Sequence, residues 1–313
     1  MLSSVTFTFT KACPLCDADR RHFQVITRGG RGFSQEAVVI CRRCGLVFLN
    51  PRMSEASLDN YYRADVFSCA HRGDASPDCT ALEYRDTRAS RRWERLQGVL
   101  PMAGRCLEIG CSCGSFLQVL SARGFSVAGI DPSTGYAKYA RERGIDVTVG
   151  NFPDDIPPPG HPYEVIAAFH VLEHVANPRR FLAAVRERIA AHGILVLEYP
   201  DVSRAVRRQK LASTYFQQSH LYDFTFTTIC ALLHITGFQV QHVFTEGIAP
   251  YDKNVLVVAC PISPIEVTAW EPESADQLLR QIQHKLRQHK FAQLRRIMVG
   301  LTRRLGLYVY SRE

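Results

Sequence analysis

Between Arg105 and Cys260 the hydrophobic pattern switches repeatedly between two periods. The runs "RCLEI" (105–109), "SVAGID" (126–131), "DVTVG" (146–150), "YEVIAAFH" (163–170) and "GILVLEY" (193–199) are short, apolar and rich in β-branched residues, and predict strands. Between them, "SFLQVLSARG" (115–124), "TGYAKYARERG" (134–144) and "PRRFLAAVRERIAAHG" (178–193) repeat apolar residues at helical spacing and close at glycine. This alternation predicts an α/β domain with a parallel sheet and helices on both faces. Beyond the helix "FTTICALLHITG", the runs "FQVQHVFTEG" and "NVLVVAC" are close enough to form a hairpin, which predicts an antiparallel edge. The expected organisation is a cysteine-bearing module over 1–50, a connector and basic helix over 51–99, the α/β domain over 100–262, and a proline-rich linker with a basic helix over 263–313. No internal repeat is present.

Composition narrows the class. With 313 residues, 46% hydrophobic and 22% charged, the chain is long and apolar enough for a packed core. The start "MLSSVTFTFTKACP" lacks a basic stretch followed by an apolar run, and no run reaches membrane-spanning length. A cytoplasmic location is therefore expected, and the eleven cysteines read as thiols and metal ligands rather than disulfides. The net charge of +8 is uneven: Ser274 to Arg304 alone carries +7. The high isoelectric point thus does not by itself argue for nucleic acid. The apolar residues of that helix, Leu278, Ile282, Leu286, Leu294, Met298 and Leu301, lie at largely helical intervals. They predict packing on the protein's own surface or on a second copy, with a membrane surface or acidic partner as the alternative.

Two cysteine pairs stand out. Cys13-x2-Cys16 and Cys41-x2-Cys44, separated by 24 residues, have the spacing of two knuckles that supply four thiolates to a tetrahedral zinc. Such a site is closed, so the expected zinc is structural and folds a small zinc ribbon. Cys69, His71 and Cys79 form a weaker trio without an evident fourth ligand. Cys106, Cys111 and Cys113, in "CLEIGCSCG", fit no common zinc spacing and are read as non-ligands.

That last stretch has another use. "LEIGCSCG" follows a predicted strand and opens a helix, where small residues let the backbone approach a ligand. Cys111, Ser112 and Cys113 are small, and their N–H groups are expected to face it. Asp131 ends the second strand, where a carboxylate grips a ribose diol in doubly wound sheets. Glu108, Gly110, Gly114 and Asp131, followed by "FHVLEHVANPRRFL", "AHGILVLEYPD" and "HLYDFT", resemble the class I S-adenosylmethionine-dependent methyltransferases. There the turn commonly reads E/D-x-G-C-G-x-G, and Ser112 stands in place of its middle glycine. The resemblance covers about 100–260. It implies a Rossmann-like seven-stranded sheet and places the methionine part of the cofactor near Glu108, Gly110, Cys111 and Gly114. It places the ribose at Asp131 and the adenine at the position after the third strand, Asn151–Phe152, where the acid usual in the family is absent; His170, by its place after the fourth strand, is expected to contact cofactor or substrate. "CRRCGLVFLNPRM" followed by the paired tyrosines further resembles the zinc-knuckle module that precedes bacterial methyltransferases acting on sugar nucleotides, polysaccharide precursors and secondary metabolites.

Chemistry is expected beyond the carboxyl ends of the strands. His170, Glu173 and His174 follow the fourth strand, and His220 and Tyr222 lie in a segment expected to cover the pocket after the fifth. A histidine there suits a general base, with Glu173 orienting it or meeting a substrate hydroxyl. The alternative for "LEH" is a purely structural helix cap. Arg204, Arg207 and Arg208 either meet a phosphate or form a solvated face. Three functions compete: methyl transfer to a small-molecule acceptor, an RNA methyltransferase whose arginine-bearing zinc module grips nucleic acid, and a regulator that binds the methyl donor without using it.

Overall fold

The computed structural model describes residues 5–63, 79–156, 160–207, 215–245, 254–262 and 275–304. The first strands belong to the cysteine-bearing segment: β1 (Phe7–Thr8), β2 (Phe23–Thr27), β3 (Val38–Cys41), β4 (Val47–Leu49) and β5 (Arg52–Met53). Helices α1 (Glu55–Arg63) and α2 (Cys79–Leu96) follow. The α/β domain then runs β6 (Arg105–Ile109), α3 (Ser115–Ser121), β7 (Ser126–Asp131), α4 (Thr134–Glu142), β8 (Asp146–Val149), β9 (Tyr163–Phe169), α5 (Pro178–Arg188) and β10 (Ile189–Pro200). It continues with α6 (Val202–Arg207), β11 (Tyr222–Asp223), α7 (Phe226–Ile235), β12 (Phe238–Phe244) and β13 (Asn254–Pro261), and the chain closes on α8 (Ala275–Arg304).

Seven strands form one sheet in the order β12-β13-β10-β9-β6-β7-β8. Neighbours from β10 to β8 are parallel, and β13 runs antiparallel to both β10 and β12. The antiparallel strand is therefore second from the edge, because the hairpin inserts β13 beside β10 and leaves β12 outermost. Alternate side chains divide between two cores, as a period of two requires. Leu107, Ile109, Ile166, Leu195 and Leu197 meet Phe181, Leu182 and Ile229 of α5 and α7. Cys106, Val165, Ala167 and Val196 meet Ala89, Leu96, Phe116, Leu120 and Ala137 of α2, α3 and α4.

The predicted helix over 178–193 ends early, at Arg188. Ile189 instead pairs with Tyr163, and a register shift follows before Ile194 pairs with Val165. Sheet pairing of a β-branched residue outweighs the helix propensity of the two alanines that follow it.

The cysteine-bearing segment builds a second sheet, β11-β4-β3-β2, whose outer strand β11 comes from residues 222–223. One face shares a core with the α/β domain through Val39, Phe48, Tyr222 and Phe224. The other face, with Val38, Ile40, Val47 and Leu49, packs on α6 and on Ala275, Leu279 and Ile282 of α8. The first turns of α8 thus cover the protein's own surface, and Arg42 pairs with Asp276 at 3.1 Å.

Candidate active site

The carboxyl ends of β6, β7, β8 and β9 open into a cavity of about 710 Å³, within the range of small-molecule sites. Gly110, Ser112 and Gly114 all take left-handed backbone, with φ of 72°, 53° and 72°. Ser112 thus takes the left-handed conformation that a glycine would adopt without steric cost. At Gly110 an added Cβ would meet Val171 Cγ2 at 2.6 Å, so no larger residue fits without displacing that side chain.

Of the three N–H groups expected to face a ligand, those of Cys111 and Ser112 are bonded within the chain instead. Gly110 N–H and Cys111 N–H both donate to Ile130 O, at 2.7 and 3.2 Å. Ser112 N–H donates to Asp131 Oδ2 at 2.7 Å, and Ser133 N–H to Oδ1 at 2.9 Å. These bonds orient the Asp131 carboxylate at the cavity wall, and each oxygen keeps lone pairs for a diol. Cys106, Cys111 and Cys113 are buried beside this turn and join no metal-ligand cluster among the described residues.

Glu108 faces the same cavity with Oε2 buried and without a hydrogen-bond partner among the described residues. Burial pushes its carboxyl up to about 8, against the opposing pull of Arg92. Such an acid binds its proton more tightly in the folded chain than in the unfolded one. Its burial therefore destabilises progressively as pH rises from the ordinary carboxylate range toward 8. Glu108→Gln is expected to flatten the fall in melting temperature between pH 5 and 8, and an unchanged slope would count against this assignment.

The cavity is roofed by helices that precede the sheet. Leu58, Asp59, Tyr62 and Arg63 of α1 and Tyr84, Arg85, Arg88 and Arg92 of α2 all line it. Among the described residues, the segment after β10 plays a different part from the cover expected of it. His220 is buried and does not line the cavity, and Tyr222 is buried in the small sheet, where Arg52 donates to its hydroxyl. Arg204 donates to Thr245 O at 2.6 Å, and Arg208 lies outside the described residues.

Asn151 and Phe152 line the end of the cavity beyond β8. Asn151 N–H donates to Asp155 Oδ2 at 2.8 Å, and its side chain donates to Asp59 of α1. Phe152 packs edge-on against Phe181.

His170 follows β9 directly on left-handed backbone, φ 57°. Its Nδ1 lies 3.2 Å from Glu173 Oε1 and its Nε2 2.9 Å from Glu198 Oε1. Burial pulls its pKa down, but the bonds and charges of Glu173 and Glu198 outweigh that and raise it. His174 lines the cavity and its Nδ1 lies 2.6 Å from Ser219 O. A carbonyl only accepts, so Nδ1 carries the proton and the neutral ring presents Nε2 as acceptor. Tyr62 Oη is 3.1 Å from the same Nδ1. The His220 ring stands edge-on to His174, with centroids 4.8 Å apart.

Sequence reasoning missed Tyr62, Glu198 and the arginines of α2. Arg85, Arg88 and Arg92 recur at three- and four-residue spacing, which is a legible helical stripe.

The four cysteines of the N-terminal segment converge, with all their sulfurs within 4.8 Å of one another. Cys13 Sγ lies 3.5 Å from Cys44 Sγ, and Cys16 Sγ 3.7 Å from Cys41 Sγ. Sulfurs on a tetrahedral zinc at about 2.3 Å stand about 3.8 Å apart, so the cluster fits that ion. Each knuckle turns on a left-handed residue placed just after its second cysteine, Asp17 with φ 58° and Gly45 with φ 77°. The trio of Cys69, His71 and Cys79 falls mostly outside the described residues, and Cys79 begins α2.

The methyltransferase-domain family model matches residues 81–243. The chain belongs to that family. It is 23% identical over 243 residues to the C-methyltransferase NovU of Streptomyces niveus, covering 74% of this chain and 53% of that protein. It is 30% identical over 122 residues to a ubiquinone biosynthesis O-methyltransferase of Cereibacter sphaeroides, covering 37% of this chain and 49% of that protein. The chain spans about half the length of the curated relatives it matches. Among solved structures, magnesium protoporphyrin IX methyltransferase from Synechocystis PCC 6803, with bound SAH, aligns at 16% identity and a TM-score of 0.48, over 67% of this chain and all of that one.

Proposed function

We propose that this protein transfers a methyl group from S-adenosylmethionine to a small-molecule acceptor, of the class of sugar nucleotides, polysaccharide precursors or secondary metabolites, and that zinc in the four-cysteine cluster is structural. The observation that carries the reading is one cavity lined both by the glycine turn and Asp131 and by His174 and Tyr62. The names of the two relatives, a C-methyltransferase and an O-methyltransferase of ubiquinone biosynthesis, support a small-molecule acceptor.

Asp131 is assigned the ribose hydroxyls, and Asn151 and Phe152 the adenine end. Glu108, which lines the cavity and keeps one buried oxygen without a hydrogen-bond partner among the described residues, borders the methionine end with Gly110 and Cys111, and Gly114 closes the same turn. Arg85 suits the methionine carboxylate: its Nε is buried without a hydrogen-bond partner among the described residues, and its guanidinium lies 5.1 Å over the Tyr136 ring. Bound there, S-adenosylmethionine supplies a methyl group activated on a sulfonium, and the chain's own task is to orient the acceptor and take up its proton. His174 is the assigned base, through Nε2. His220 packs against that ring and supports it. His170 is assigned no proton transfer, because both ring nitrogens are engaged by carboxylates.

Asp131→Ala removes charge-assisted hydrogen bonds to the ribose. Donor binding is expected to weaken by about 1.5–3 kcal/mol, which titration calorimetry reads as roughly 10- to 150-fold in Kd. Unchanged affinity would overturn the assignment. Mass spectrometry of candidate acceptors, incubated with protein and donor, tests the reaction through a methyl-sized gain in mass.

A further inference from the structure

Glu198 lies near the end of β10, on the sheet face toward α2, and is 2% exposed. Its Oε1 accepts from Arg88 Nη2 at 2.7 Å and from Asn254 Nδ2 at 2.9 Å. Its Oε2 accepts from Arg92 Nε at 2.7 Å. His170 Nε2 adds a contact at 2.9 Å to Oε1. Burial alone would push this carboxyl up, yet Arg92, His170 and Arg88 hold it well below the usual carboxylate range.

The groups around Glu198 come from two working parts of the site. Arg88 and Arg92 belong to α2, which roofs the cavity, and both pair with Glu198 at 2.7 Å. His170 follows β9 directly and begins the turn that carries Glu173 and His174. Arg88, Arg92 and His170 line the cavity, whereas Glu198 does not. Buried charges paired in this way contribute little net stability compared with apolar packing, but removing one partner is costly, because it strands the rest.

We propose that Glu198 is a positioning residue: it clamps α2 over the donor end of the cavity and fixes His170, and through Glu173 the turn bearing His174, without touching either reactant. The donor part of this inference rests on the function proposed above. Without the carboxylate, the two guanidinium groups lose the acceptor that holds them both to the sheet, and His170 loses one of its two carboxylates. The least costly relief is for α2 to swing its arginines toward water.

Glu198→Gln keeps the volume and removes the charge. In hydrogen exchange read by mass spectrometry, amides of 79–96 are expected to exchange at least tenfold faster than in the wild type. KM for S-adenosylmethionine should rise at least tenfold, with a smaller change in kcat. Histidine side-chain nitrogen NMR should show His170, which faces Glu173 and Glu198 with Arg88 and Arg92 beyond, titrating at higher pH in the wild type than in the variant, where only Glu173 remains as its carboxylate partner. Arg88→Met, which removes one arm of the clamp from the partly exposed helix, should move the exchange and the KM in the same direction by less. It decides the matter if Glu198→Gln does not fold. Wild-type exchange over 79–96 with unchanged His170 signals, even beside a lowered melting temperature, would overturn the clamp. The exchange experiment needs no donor. Failure of the wild type to bind S-adenosylmethionine would instead sink the proposed function and leave the exchange result to judge the clamp.

Discussion

His174→Ala is expected to lower turnover by about 10²–10⁴, the usual loss on removing a general base, while donor affinity stays within a few-fold of wild type. Three features of the structure single out this ring. It follows the fourth parallel strand, where acceptor and donor meet in sheets of this kind. The bond from Nδ1–H to Ser219 O, at 2.6 Å, fixes the tautomer and aims the ring. Tyr62 of α1 stands at the same edge, 3.1 Å from Nδ1. His220 is buried behind it, so His220→Ala is expected to cost less than His174→Ala. Because the base must be neutral to accept a proton, the wild-type rate should fall as pH is lowered through the imidazole range. Single-turnover measurements separate this step from product release. A His174→Ala variant with full turnover would mean that the enzyme works by positioning alone.

The parts of this site that were legible in the sequence are those fixed by local spacing. The glycine turn, the acid ending the second strand and the two cysteine knuckles each lie within a few residues, and each needs a particular backbone conformation that small residues or Asp supply. Ser112 shows the principle working against composition: the chain keeps φ at 53° without a glycine. What was not legible depends on contacts distant in sequence. The state of His170 is set not only by Glu173 nearby but by Glu198, 28 residues on. Tyr62 meets His174 across 112 residues. The roof was sought after the fifth strand because that segment follows the sheet in sequence. Residues 222–223 instead pair with β4 of the small sheet, which leaves α1 and α2 to cover the cavity. The fold class was readable throughout, because it rests on a repeated pattern. The end of α5 was not, because Ile189 answers to Tyr163 rather than to its neighbours.

Cys41→Ser is expected to bring the zinc content from one ion per chain to nearly none and to destabilise the protein by about 3 kcal/mol or more, a fraction of the roughly 10–16 kcal/mol with which structural zinc binds. Cys41 ends β3 and is fully buried, and the cysteines pack in the same core as Phe48, Tyr222 and Phe224. Losing the ion therefore unseats more than a surface knuckle. Leu49 N–H donates to Leu221 O at 2.9 Å, and Leu221 N–H donates to Glu173 O at 2.8 Å. That path of backbone bonds joins the small sheet to the turn bearing His174. The glycine turn and Asp131 sit on β6 and β7 and take their bonds from within the large sheet. Zinc loss should accordingly reduce turnover more than donor affinity. Elemental analysis of protein purified without chelator, thermal melting, and calorimetry with S-adenosylmethionine read the three effects separately. A wild-type protein free of zinc would end the structural-metal reading. Equal losses of donor affinity and turnover in Cys41→Ser would instead show that the small sheet supports the whole cavity rather than its acceptor end.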